Sequence, residues 1–229
     1  MDNALHLEMV LSLGEKYQYD QFHARNVERL AISIFDLLKE IHGMGEAELT
    51  LLRHGALLHD IGQYISIKKH HKHSAYLINY DVTFEKYPEQ ERFILSLLVQ
   101  NHRKSVKIEE SGLQRPRKMI LSYLIAILRI ADALDYFHRG NASVMRVVIN
   151  NSECIFEIEG VDVQSLKEQL KKKSDFFKKA FGYKAVFVNY SVETNIIPEA
   201  HEDAPDDKVQ CAEGTRGTRG QVLCPATEN

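Results

Sequence analysis

Residues 57–62 read LLHDIG, in which an adjacent histidine and aspartate, His59 and Asp60, close an apolar helical segment. His59 lies three residues after Ala56, so its imidazole projects from the apolar side of that helix. Asp60 follows where Gly62 is expected to terminate the helix, and at a helix end two adjacent side chains can turn toward the same point. Because a buried, unpaired carboxylate is costly, this pair predicts either a compensating cation or a tight hydrogen-bond network.

Two more polar residues, His23 and Asp132, lie on the core-facing stripes of other predicted helices. His23 precedes Val27 by four residues, and Asp132 follows Leu128 by four on the most apolar helix of the chain. A single inward histidine or aspartate is commonly explained by a hydrogen bond or a cap within the core. The order His, His-Asp, Asp on core-facing positions instead favours a shared metal ion, with a purely structural network as the alternative.

Imidazole nitrogens and carboxylate oxygens together suit borderline to hard divalent ions, namely Mn, Fe, Mg, Zn or Co. Such an ion makes water more acidic and neutralises charge on a phosphoryl group, while a neighbouring aspartate can orient the water or accept its proton. The predicted metal ligands are His23, His59, Asp60 and Asp132. Asp60 and Asp132 are also the predicted catalytic residues.

A histidine-rich segment, KKHHKHS at residues 68–74, and His102 offer further ligands. His102 lies on a core-facing stripe, so His73 and His102 are candidates to hold a second ion. A structural role for these two residues is the equal alternative, which leaves the number of ions at one or two. His70 and His71 are interpreted as part of a solvated basic loop.

Basic residues flank these histidines. Arg103, Lys104 and Arg139 are the predicted phosphate-binding residues, although a solvated basic face would have the same sequence pattern. The formal net charge of -3 and the pI of about 6.4 give no overall attraction to nucleic acid or to an anionic membrane. Phosphate binding must therefore come from a local patch.

The three cysteines, Cys154, Cys211 and Cys224, form no CxxC pair, which argues against a disulfide framework or a cysteine-type zinc site. No segment approaches 18 apolar residues, and the first twenty residues lack the pattern of a signal peptide. We therefore expect a cytoplasmic protein that does not bind a membrane.

Hydrophobic periodicity predicts a mainly α fold, in which a helical bundle is followed by a small β-β-α-β appendage. Residues 1–140 are expected to form the helical domain, because apolar residues recur there at three and four positions. Residues 141–196 contain two β-branched strands, a helix and a third strand, and are expected to form a small α/β subdomain. Residues 197–229 contain no Phe, Tyr or Trp and are rich in Pro, Gly, Asp and Glu, which predicts a disordered tail. The clearest helices are predicted at residues 22–43, 46–59, 89–102, 119–136 and 164–181.

Four segments carry a resemblance to a known superfamily: YDQFHARNVERLA at 19–31, LLHDIGQYISIKKHHKHSAYLI at 57–78, VQNHRK at 99–104 and ILSYLIAILRIADALD at 120–135. In these segments the chain resembles the HD-domain phosphohydrolase superfamily, so the helical part is expected to be an HD-type bundle. More narrowly, residues 15–195 resemble the C-terminal, HD-like part of the exopolyphosphatase / guanosine pentaphosphate phosphohydrolase (Ppx/GppA) family. That likeness includes the β-β-α-β segment.

The resemblance assigns metal ligation to two sets of residues. Those that match the ligands of active HD domains are His23, His59, Asp60 and Asp132, and those that match the additional ligands of two-metal members are His73 and His102. It implies a metal-dependent phosphohydrolase that cleaves a phosphate ester or anhydride of a nucleotide or related small molecule.

In the exopolyphosphatase family, however, the polyphosphate chemistry belongs to N-terminal, actin-like domains, and nothing in this sequence corresponds to them. The alternative function is therefore a non-catalytic module that binds polyphosphate, a guanosine alarmone or a partner protein, or that supports dimerisation. The expected partner is a phosphorylated small molecule or nucleotide, with polyphosphate and a second copy of the chain as further candidates.

Overall fold

The computed structural model describes residues 3–191 and the backbone of residues 221–223. As predicted, the chain is mainly helical with a small β-containing appendage. The helices are α1 (Asn3–Lys16), α2 (Gln21–Leu37), α3 (Lys39–His42), α4 (Glu46–Leu58), α5 (His70–Tyr80), α6 (Glu89–Gln100), α7 (Arg115–Leu134), α8 (Val163–Lys173) and α9 (Phe177–Phe181). The strands are β1 (Ser143–Ile149), β2 (Glu153–Glu159), β3 (Lys184–Asn189) and β4 (Gln221–Leu223). Short 3-10 turns lie at Ile61–Tyr64, Val82–Phe84, Glu109–Ser111 and Ser174–Phe176.

Local capping fixes the limits of the second and third helices. Asp20 starts α2 by accepting a hydrogen bond from the backbone N–H of His23 at 3.0 Å. Gly43 ends α3 in the left-handed region, with φ of 60°. The segment 22–43, predicted as one helix, is divided at Leu38 into α2 and α3.

The turn after α4 is held against the start of α5. The N–H of Gly62 donates to Ser74 Oγ at 2.8 Å, and that hydroxyl donates to the carbonyl of His59 at 2.8 Å. A Cβ atom on Gly62 would lie 2.3 Å from the carbonyl oxygen of His70 and from the backbone nitrogen of Ser74, so this contact requires glycine. The LLHDIG turn therefore has a fixed position relative to the first residues of α5.

The strands form a sheet of order β3-β2-β1-β4. β1 and β2 make the predicted antiparallel hairpin, in which Asn150 Oδ1 accepts from the N–H groups of Ser152 and Glu153. β3 runs parallel to β2, with α8 and α9 in the crossover. β4 pairs antiparallel with β1, so residues 221–223 form a strand within the tail predicted to be disordered. The remainder of residues 197–229 lies outside the described residues.

The helix predicted over residues 164–181 is interrupted after Lys173 by a 3-10 turn, before α9 begins. The carbonyls of Lys172 and Lys173 accept hydrogen bonds from the Arg129 guanidinium at 3.0 and 2.8 Å. An arginine on α7 thus binds the last carbonyls of α8, at the point where the helix ends. Periodicity within the segment did not predict this break, because its cause is distant in sequence.

The main hydrophobic core passes from the helical part into the α/β part. Ile34, Leu128, Phe156 and Leu166 belong to one buried cluster, in which α7 packs against both α2 and α8. The helical part and the α/β part therefore share one core. The division into two domains near residue 140 stays a prediction. A membrane-spanning helix is not found among the described residues, because none combines the required length with the required hydropathy.

Candidate metal centre

His59 and Asp60 lie where α4 gives way to a 3-10 turn. His59 is completely buried, and its Nδ1 lies 2.8 Å from the carbonyl of Ala56. Because a carbonyl can only accept a hydrogen bond, Nδ1 carries the ring proton when the imidazole is neutral, and Nε2 presents a lone pair. That Nε2 lies 3.6 Å from Asp60 Oδ2.

His23 occupies the first turn of α2 and faces α7. Its Nδ1 lies 2.8 Å from Asp135 Oδ2 in a buried pair, and its Nε2 lies 3.8 Å from Asp132 Oδ1. The ring of His138 stacks on His23 with centroids 3.8 Å apart, and His138 Nδ1 lies 2.8 Å from Asp20 Oδ2. His23 is therefore clamped between a carboxylate and an imidazole, while its Nε2 faces Asp132.

His70 and His102 approach Asp60 from α5 and from the end of α6. Their Nδ1 atoms lie 3.0 Å from the carbonyl of Ile67 and 2.7 Å from the carbonyl of Val99, respectively. Their Nε2 atoms are 3.2 Å apart and lie 3.0 Å and 3.5 Å from Asp60 Oδ1. As in His23 and His59, an acceptor at Nδ1 leaves Nε2 directed toward an aspartate, although Arg103 Nη1 also lies 3.1 Å from His70 Nε2. Metal-binding histidines characteristically have such an acceptor behind the ring.

These side chains make up two groups of candidate ligands within the described part of the chain, and the ligand atoms of each group lie within 4.8 Å of one another. The groups are His23, His59 and Asp132, and Asp60, His70 and His102. Two atoms that bind the same ion, each at a distance of about 2.1 Å, lie at most about 4.2 Å apart. The measured nitrogen-to-oxygen distances of 3.0 to 4.0 Å satisfy that limit.

Three atoms at this centre are buried and lack a hydrogen-bond partner within the described residues: His23 Nε2, His59 Nε2 and Asp60 Oδ1. Lone pairs that are neither solvated nor hydrogen-bonded are expensive. A divalent ion would satisfy them, so the residues present fit a metal site of mixed nitrogen and oxygen ligands.

The structure places the predicted ligands His23, His59 and Asp132 in one group and Asp60 in the other, so their shared binding of one ion stays a prediction, and the second predicted pair is divided. His102 meets Asp60 together with His70, and His73 belongs to neither group. His70 is buried because the inward face of α5 carries His70, Ser74 and Ile78, four residues apart, and His73 falls at the margin of that face. The interpretation of His70 and His71 as a solvated loop is wrong, since both are buried.

A cavity of about 460 Å³ opens above the two groups. Of the predicted phosphate-binding residues, Arg103 and Lys104 line it. Arg139 instead lines a separate cavity of about 370 Å³, and its guanidinium lies 5.5 Å from the ring centre of Phe137. Arg139 lies between His138 and Gly140, which both have positive φ angles and turn the backbone at this point.

The α/β part supplies one wall of the main cavity, through Gln169, Lys172, Lys173 and Asp175. Lys173 forms an ion pair with Asp132 and donates to the carbonyl of His102 at 3.2 Å. Sequence reasoning missed Lys173, although it lies three residues after the buried Leu170 and so belongs to the same inward stripe. The appendage thus contributes a cation to the centre.

Burial and charge set the protonation of the centre. Burial raises the pKa of Asp60, but the surrounding histidines outweigh it and hold that pKa well below its usual range. Burial likewise raises the pKa of Asp132, and Lys173 is the main cause of its net lowering. For His59 and His102 burial dominates and lowers the pKa, which favours the neutral, ligating form.

His23 differs from the other two histidines. Burial lowers its pKa, but the hydrogen bond with Asp135 and the charges of Asp132 and Asp60 together raise it. The carboxylates that would attract a metal ion therefore also attract a proton to His23, and the two must compete for Nε2.

Residues 7–176 match the family model described as Ppx/GppA phosphatase, domain III. The chain is similar to proteins named guanosine-5'-triphosphate,3'-diphosphate pyrophosphatase. It is 34% identical over 146 residues to the one from Aeromonas hydrophila, which covers 62% of this chain and 29% of the relative. It is 30% identical over 132 residues to the one from Pseudoalteromonas atlantica, which covers 56% of this chain and 25% of the relative. The chain therefore spans less than a third of the length of these relatives. Because the family model matches well over half of its residues, the chain belongs to the Ppx/GppA phosphatase domain III family.

Proposed function

We propose that the chain is an HD-type, metal-dependent phosphohydrolase that cleaves a phosphate ester or anhydride of a nucleotide or related small molecule in the cytoplasm. The observation that carries this proposal is the common orientation of His23, His59, His70 and His102. Each has an oxygen acceptor at Nδ1 and an Nε2 directed at Asp60 or Asp132, below a cavity with basic walls. The Nε2 atoms of His23 and His59 have no hydrogen-bond partner among the described residues. A purely structural core has no need for converging, unpaired lone pairs.

In this proposal His23, His59 and Asp132 hold one ion, and Asp60, His70 and His102 hold a second. Imidazole-rich sets of this kind favour Fe, Zn, Co or Mn over Mg. When bound, such an ion supplies Lewis acidity that neutralises charge on a phosphoryl group and makes water more acidic.

The protein's own side chains provide the remaining chemistry. The lowered pKa values of Asp60 and Asp132 keep both carboxylates ionised at neutral pH, so either can hold an ion and orient a water molecule. In this proposal the same two carboxylates are the candidates to accept the proton of that water. Arg103, Lys104 and Lys172 line the cavity and can attract and hold a phosphate group. Phosphate would thus be received between the helical part and the α/β part.

A nucleotide is the substrate class that we favour. The relatives are named for a guanosine derivative that carries several phosphates, and the cavity volume lies within the roughly 300 to 1,000 Å³ that is usual for small-molecule sites. Since the chain spans only part of those relatives, their activity enters here as a proposal.

The test combines metal analysis with a screen for phosphate release from nucleotides, cyclic nucleotides and short polyphosphates. Protein purified without chelator is expected to retain divalent metal, and His59→Ala should lose both metal and activity. His54→Gln is the control, because His54 is a buried histidine of α4, five residues before His59, that contacts Tyr87 instead of the centre. A metal-free wild type whose melting temperature does not respond to Mn would count against the proposal.

One observation favours a second candidate, a non-catalytic module that binds polyphosphate, an alarmone or a partner protein. The ion pair with Lys173 neutralises Asp132 from within the chain and reduces the need for a metal ion at that carboxylate. This alternative predicts salt-sensitive anion binding that persists in Asp132→Ala, with no phosphate released by either protein.

A further inference from the structure

Arg129 is a charged residue buried in the middle of the molecule. It lies on α7, one helical turn before Asp132, and is only 1% exposed. A guanidinium in such a position is tolerated only if its donors are satisfied, since desolvating an unpaired charge is costly.

Its hydrogen bonds account for every donor that an arginine possesses. Nε donates to the carbonyl of Lys173 at 2.8 Å, and Nη2 donates to the carbonyl of Lys172 at 3.0 Å and to Asp175 Oδ1 at 2.7 Å. Nη1 donates to the carbonyls of Lys104 at 2.9 Å and Asn101 at 3.3 Å. A guanidinium has five N–H groups, so none remains for a phosphate in the cavity.

The bonded groups belong to two segments that both contribute to the lining of the cavity, residues 101–104 and 172–175. The first contains the candidate ligand His102 and the basic residues Arg103 and Lys104, and the second contains Lys172 and Lys173. Arg129 itself lines the cavity and joins the two segments through their main chains.

We propose that Arg129 is a positioning residue, which fixes the 101–104 and 172–175 segments so that their cationic side chains receive the same phosphorylated ligand. This inference rests on the proposed function for its ligand, but the contacts themselves do not depend on it. A lysine cannot replace this arginine fully, because an ammonium has three donors at one point in place of five in a planar fork.

The experiment compares wild type with Arg129→Met and Arg129→Lys, using the binding of inorganic pyrophosphate followed by calorimetry and amide hydrogen exchange. We expect Arg129→Met to bind pyrophosphate at least about tenfold more weakly and Arg129→Lys to be intermediate. Amides of residues 101–104 and 172–175 should exchange faster in Arg129→Met, while those of α2 retain their protection. Arg53→Met is the matched control, because Arg53 pairs with the buried Glu28 away from the cavity, and its pyrophosphate affinity should equal that of wild type.

Unchanged pyrophosphate affinity in Arg129→Met would overturn the inference, as would faster exchange spread evenly over all helices, which indicates general destabilisation. If the wild type itself fails to bind pyrophosphate, the proposed function loses its support. In that case the exchange rates of the two segments still decide whether Arg129 fixes them.

Discussion

Lys173, the last residue of α8, forms an ion pair with Asp132 on α7. Both side chains are largely buried, and the pair joins the α/β part to a group of candidate metal ligands. Because the ammonium of Lys173 compensates the charge of Asp132, we expect Lys173 and a metal ion to compete for the same carboxylate.

Replacing Lys173 by Met should expose this competition. In the presence of chelator, Lys173→Met is expected to lower the free energy of unfolding by about 2 kcal/mol, because Asp132 loses its main compensating charge. Added Mn should then stabilise the variant more than it stabilises wild type, which thermal melts with and without Mn will measure. Lys171→Met, on the exposed side of the same helix, provides the control. Equal stabilisation of wild type and Lys173→Met by Mn would contradict the prediction.

Sequence periodicity predicted the inward positions of His23, His59 and Asp132, because the apolar residues around each of them define an inward helical face. Their role as metal ligands stays a prediction. Periodicity was insufficient for His70. The segment KKHHKHS contains no apolar side chain that would set the phase of the helix, so its inward face appears only once Gly62 packs against the first turn of α5.

The remaining differences also arise from contacts between distant segments. The α8 break depends on Arg129, which is more than forty residues away, and β4 depends on pairing with β1. Hairpin and helix signals are local and were predicted, whereas these features require the assembled core.

A pair of variants on α5 tests the corrected ligand set. His70→Asn is expected to weaken Mn binding by about tenfold or more, because the Nε2 atom nearest Asp60 is lost. His73→Asn should leave the Mn affinity within about twofold of wild type, since His73 lies outside both groups of candidate ligands. Titration calorimetry with Mn measures both. The opposite ranking would restore the original prediction of His73 as the ligand.

Asp135 should influence metal binding without touching the ion. Its carboxylate accepts from His23 Nδ1 and from the N–H of Gly140 at 2.8 Å, which fixes the imidazole ring and directs Nε2 toward Asp132. Asp135→Asn is therefore expected to lower Mn affinity by roughly 10- to 100-fold. Asp36→Asn, on the same helix as His23 but away from the centre, should show the affinity of wild type. An Asp135→Asn protein with unaltered affinity would show that the ring needs no such support.

A substitution at Gly62 tests the contact between the LLHDIG turn and α5. Gly62→Ala places a methyl group 2.3 Å from backbone atoms of His70 and Ser74, so α5 must move away from the turn. We expect a loss of about 3 kcal/mol in the free energy of unfolding, together with weaker Mn binding, because His70 moves with the helix. Urea denaturation measures the first effect. Gly45→Ala is the control, since its Cβ would meet no atom closer than 3.8 Å. Similar losses for both variants would exclude a specific contact at Gly62.

His54 should make the stability of the protein dependent on pH away from the metal centre. Burial, followed by the charges of Arg53 and His6, lowers the pKa of His54 to about 4. Between about pH 6.5 and 4 the unfolded chain therefore binds a proton that folded His54 does not, so stability is full above pH 6.5 and falls as the pH falls. The expected contribution is about 3 kcal/mol, since each unit of pKa difference corresponds to about 1.4 kcal/mol. His54→Gln should remove this part of the fall in the free energy of unfolding at low pH. Urea denaturation at a series of pH values measures it. If the free energy of unfolding depends on pH in the same way for wild type and His54→Gln, His54 is not held neutral by its surroundings.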